Sequence, residues 1–115
     1  MSSPDDSATA ARELADVPAV EVVTTLAVHL MSAAALRCGL GDGPQATEEM
    51  DLAEARILIT ALAGLVTASA PDLGPAHAAP LRDGLTALQR AFREASAIPD
   101  APGSGPGEAL TGPVV

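Results

Sequence analysis

Helix-breaking residues divide this chain at three places and leave room for three helices. Gly39, Gly41, Gly43 and Pro44 crowd one short segment, Pro71 to Pro80 holds three prolines and a glycine, and everything after Pro99 is dense in both. Between the breaks the chain is dominated by Ala and Leu, the strongest helix formers, whereas the aromatic residues that favour strands are reduced to Phe92 alone. A length of 115 residues fits one small domain. The expectation is therefore an all-α fold in one three-helix domain.

The first helix is expected to start at Asp16 and Pro18, a capping oxygen followed by a proline in the first turn, and to run to Leu36 or Cys38. Thr47 reads as the cap of the second helix, with Glu48, Glu49, Asp51 and Glu54 set against the positive end of its dipole. That helix is expected to stop before Pro71; the third begins near Pro80 and ends before Pro99. Residues 1–15 are small and polar and read as a flexible N-terminal arm, residues 16–98 as the helical domain, and 99–115 as an extended or disordered Gly/Pro-rich tail.

Turning each segment by 100° per residue assigns the faces. On the first helix Val22, Val23, Leu26, Ala27, Leu30, Met31, Ala33 and Ala34 form a broad apolar face centred near Leu30, with Glu21, Thr25, His29 and Ser32 roughly opposite. The second helix has two apolar faces. One carries Leu52, Ala55, Leu58, Ile59, Leu62, Leu65 and Val66; the other carries the smaller Ala53, Ile57, Gly64 and Ala68. The third shows a narrow stripe of Leu81, Leu85, Leu88 and Phe92, with Arg82, Gln89, Arg90 and Arg93 turned outward. A helix with two apolar faces needs neighbours on both sides, so a helical hairpin plus third helix is expected to pair into a homodimeric bundle.

Charge and composition exclude several function classes. With 15 acids against 6 arginines and no lysine, the formal charge of −9 disfavours nucleic acid as a direct ligand, because such binding relies on cations that neutralise phosphates. Val17 to Leu40 is apolar and long enough to resemble a membrane span, but Glu21, His29 and Arg37 inside it make insertion costly. One cysteine cannot close an internal disulfide, and the acidic N-terminus lacks the features of a secretory signal, so a cytoplasmic location is expected.

No catalytic or metal-binding constellation emerges. His29 and Cys38 are nine residues apart, which puts them on opposite faces and about 13 Å apart along one helix. His29 and Ser32 do share a face, but Glu21 is about 12 Å from the imidazole along the axis, and a serine within a regular helix has no oxyanion donors beside it. His77 falls in the Pro-rich loop without nearby ligands, HExxH and CxxC spacings are absent, and "GLGDGP" has neither the lysine nor the preceding strand of a phosphate loop. Neither a cofactor nor a metal is expected. The acid run from Glu48 to Glu54 lacks calcium-loop spacing.

The segments "LAVHLMSAAALRCGL", "DLAEARILITALAGL" and "LRDGLTALQRAF", taken together over residues 20–95, resemble a bacterial family, domain-of-unknown-function family 1844. The tail "IPDAPGSGPGEALTGPV" is similar to the ends of its actinobacterial branch. The chain departs from other branches at Thr60 and Ala63, where acidic residues are expected. The resemblance implies no catalytic residue. It does imply a context around translation, because actinobacterial members are often encoded near translation-initiation and ribosomal-protein genes.

Two functional readings follow. The first is a non-enzymatic dimerisation and protein-interaction module, with Leu26, Leu30, Leu58, Leu62, Leu65, Leu85, Leu88 and Phe92 as core or interface, His29 and Ser32 as interface polar groups, and the tail as a docking segment. The second is a small regulatory factor at the ribosome, contacting it through Arg82, Arg90 and Arg93.

Overall fold

A computed structural model describes Ala8 and residues 13–114. Most of the expected N-terminal arm lies outside the described residues; Glu13, Leu14 and Ala15 form an exposed helical turn. From there the chain runs through α1 (Ala19–Arg37), α2 (Ala46–Glu49), α3 (Leu52–Leu73), α4 (Pro75–Ala95) and α5 (Glu108–Thr111). No strand occurs among the described residues. The all-α expectation holds, with α1, α3 and α4 as the three long helices.

Glycine ends α1 where expected. Gly39 takes φ +83°, and with it Leu40 N–H reaches the Ala35 carbonyl (3.0 Å) while Gly39 N–H reaches that of Leu36 (3.1 Å). This crossed pair satisfies carbonyls that the helix end would otherwise leave unpaired. The start of α3 differs from expectation. Asp51, and not Thr47, is its cap: the Asp51 side chain accepts from Glu54 N–H at 3.2 Å, and Thr47 lies inside the separate single-turn α2. Asp51 N–H also donates to the Arg37 carbonyl at 2.8 Å, which fastens the start of α3 to the end of α1.

The prolines also act differently from expectation. Pro71 lies within α3, which continues to Leu73, and Pro80 lies within α4. The break falls at Gly74, with φ +82°, and α4 starts directly at Pro75, the position where a missing N–H costs nothing. Leu73, Ala78 and Leu81 are all buried around this corner. Continuing both helices places those three in the core, which offsets the hydrogen bond each proline removes. His77 therefore belongs to the exposed first turn of α4 and not to a loop.

The tight corner makes α3 and α4 an antiparallel hairpin, with Arg56 near the start of α3 lying over the Phe92 ring near the end of α4 (5.0 Å to its centroid). Ile59, Leu62, Val66, Leu81, Leu85, Leu88 and Phe92 fill the core between them. The first helix packs on one side of the hairpin through small residues, Ala27, Ala34 and Cys38, with Met31 seated on Gly84, where a Cβ would overlap the methionine Cε. Small residues let the backbones approach closely, so the buried face of α1 is centred on Ala27 and Ala34. Leu30 is only half-buried, and Leu26 is 52% exposed. Leu58 and Leu65 are half-buried beside the core, whereas Leu62, Leu85, Leu88 and Phe92 are buried.

On the other side of the hairpin lies the C-terminal segment. It is not extended throughout: Gly105, Pro106, Gly107 and Glu108 are buried, α5 follows, and Val114 is buried too. Gln89, expected to face outward, is 2% exposed and points into this segment. Its Nε2 donates to the Pro106 carbonyl (3.1 Å) and to Thr111 Oγ1 (3.0 Å).

Candidate interaction surface

The burial of α1 through alanines leaves several of its larger side chains outside. Of an apolar 18-residue stretch with mean hydropathy 1.7, only 11% of residues are buried. Leu26, Val28, Leu36 and Leu40 are each 45–57% exposed. By length and composition α1 and α3 could both cross a membrane; α3 supplies most of the core.

His29 and Ser32 lie together on this outer face. With Thr24, Thr25, Val28, Ala33 and Leu36 they line a shallow cleft of about 600 Å³. No ionisable group besides His29 lines it, and apolar side chains flank the imidazole and both hydroxyl-bearing types. Such a cleft can bury an apolar surface and offer a few hydrogen bonds, but it presents no nucleophile–base–acid arrangement. Cys38 is on the opposite face, in the core, and burial pushes its thiol pKa up. His29 and Cys38 thus form no joint site within the chain. No cluster of metal-ligating side chains occurs among the described residues.

The outer face of α1 follows a second periodicity. Val22, Leu26, His29, Ala33 and Leu36 are spaced alternately by four and three residues, the a and d positions of a heptad repeat; Val22 and Ala33 are half-buried, and Leu40 follows the helix end at Gly39. The face assignment from sequence missed this seam, because it placed the centre of the buried side at Leu30. The alternating 4–3 spacing was the signal that could have found it. The small face of α3 is uncovered as well: Ile57 is 64% exposed, Ala53 and Ala68 are exposed, and a Cβ on Gly64 would meet nothing within 4 Å.

The structure does not gather the three arginines of α4 into one basic surface. Arg82 borders a cleft of about 320 Å³ beside Leu110 and Thr111. Arg90 and Arg93 border another at the end of α4, together with Glu94, and Arg93 Nη1 donates to the Asp100 carbonyl at 3.2 Å. Sequence reasoning passed over Arg56, whose Nη2 pairs with Asp100 at 2.7 Å. Arg56, Arg93 and Asp100 together fasten the segment that follows α4 to the hairpin.

A family model described as Domain of unknown function (DUF1844) matches residues 19–94, which span α1 to the end of α4. The match covers well over half of the chain, and the chain belongs to this family. No curated protein and no solved structure matches it.

Proposed function

We propose that this member of the DUF1844 family is a non-enzymatic helical module that self-associates through the outer face of α1. The observation that supports this is the seam of Val22, Leu26, His29, Ala33 and Leu36, in which Leu26 is 52% and Leu36 45% exposed, with the exposed Leu40 just beyond the helix end. A heptad seam is complementary to another helix carrying the same spacing, because each side chain seats between four on the partner. A second copy supplies that spacing by symmetry, in an isologous pair. Burying the exposed parts of Leu26 and Leu36 contributes on the order of 1 kcal/mol per leucine and per chain. Thr25 and Ser32 border the seam and supply hydrogen bonds at its edge. Glu21 and Arg37, both exposed on the same helix, favour a protein partner over hydrocarbon.

Sedimentation equilibrium tests the reading: a dimer is expected at micromolar concentration. A clean monomer sinks self-association. A monomer that binds phosphatidylcholine vesicles would reassign the face to a membrane surface.

A further inference from the structure

The C-terminal segment occupies a groove between α3 and α4 whose fit is specific to its sequence. Four successive residues, Gly105 to Glu108, are buried in it. Gly107 has φ +75°, a conformation that side chains with a Cβ rarely adopt, and a Cβ there would lie 2.5 Å from the Ala63 Cβ and 3.2 Å from Gln89 Nε2. At Gly105 an added Cβ would overlap the Glu108 carboxylate. That carboxylate, on a residue only 6% exposed, folds back on its own segment and accepts from Val114 N–H (2.9 Å) and Gly103 N–H (3.4 Å). On the groove side the polar reader is Gln89. It is nine-tenths buried or more, and its amide hydrogens go to this segment, one to the Pro106 carbonyl and one to Thr111 Oγ1.

The groove thus holds a peptide by a backbone carbonyl, a left-handed glycine and a self-stapled acid. Residues 96–104 connect it to α4 as a strap without helix, exposed at Ile98. We propose that the α3–α4 groove is a peptide-binding site selective for a Gly-Pro-Gly-Glu turn, occupied in cis by residues 105–108 and able to take the same segment in trans when the strap is released. The strap is then a self-occluding latch. A short tether holds its end at an effective concentration of order 1 mM, so the cis segment outcompetes a free copy present at micromolar concentration.

Full-length Gly107→Ala tests this, since its own strap cannot seat while the groove is unchanged. A fluorescent peptide of residues 99–115 is titrated against wild type and variant by anisotropy, with circular dichroism monitoring helix content. The variant is expected to bind the peptide at least tenfold more tightly than wild type. Binding is expected to be lost when the peptide itself carries the same substitution, or when the protein also carries Gln89→Ala. Absence of binding by the helical variant, equal binding of the substituted peptide, or collapse of the helical signal in Gly107→Ala would each overturn the proposal. Amide hydrogen exchange of the wild type provides a second test: Leu110, Thr111 and Val114 should exchange at least 100-fold faster than core amides of α3 and α4, and exchange at the same rate as the core would show that the strap is not separable.

Discussion

Gln89 Nε2 lies 3.1 Å from the carbonyl oxygen of Pro106, 17 residues further along the chain, and both groups are buried. Through this contact the Gln89 amide favours the seated state of that segment, because either group left alone and buried would keep its full desolvation cost. Gln89→Ala therefore destabilises the fold by about 1–3 kcal/mol. Urea denaturation measures it, and a double-mutant cycle with Thr111→Val should give a coupling of about 0.5–3 kcal/mol. Additive effects would show that the contact carries no energy.

Gly84 tests the seat of Met31. An alanine in the middle of α4 gains about 1 kcal/mol of helix propensity over glycine, yet its Cβ would overlap the Met31 Cε. Displacing a packed side chain costs about 1–3 kcal/mol. Gly84→Ala is expected to be neutral to destabilising alone and stabilising by about 1 kcal/mol in a Met31→Ala background. The change of sign, read from thermal melts of the four proteins, is the diagnostic outcome.

Asp51 caps α3 and Thr47 does not. Asp51→Ala should cost about 1 kcal/mol, while Thr47→Ala stays within about 0.5 kcal/mol of wild type. Equal effects in chemical denaturation would argue against the assigned cap.

Leu26 and Leu36 protrude from α1 without a place in the monomer core. The proposed pairing through α1 predicts that Leu26→Glu with Leu36→Glu sediments as a monomer where wild type sediments as a dimer, with the helical signal kept. Lost helicity would show instead that these leucines serve the core.

Burial raises the Cys38 pKa, so the thiol stays neutral in the folded chain where the unfolded chain ionises. The folded state then holds the extra proton, so this thiol leaves stability unchanged below pH 9.0 and lowers it as pH rises from there through the folded pKa. Labelling of native Cys38 by a thiol reagent at neutral pH should be at least tenfold slower than in urea. Equal rates would contradict the burial.

Local chemistry settled the parts of this fold that are local. The helical period, the stop at Gly39 and the stripe from Leu81 to Phe92 could all be read from residue order, because each depends on neighbours within one or two turns. The separation of His29 from Cys38 was legible for the same reason. Tertiary packing decided the rest. It carried α3 through Pro71 and α4 through Pro80, because the buried corner of Leu73, Ala78 and Leu81 outweighs the two hydrogen bonds lost to proline. It turned α1 onto Ala27 and Ala34, since close backbone approach depends on Gly84 and α3 facing it, and so left Leu26 outside. It also placed Gly107 against Ala63 and Gln89 under Pro106. A Gly/Pro-rich tail has no periodicity to reveal such a seat, which exists only once two distant helices have formed the groove.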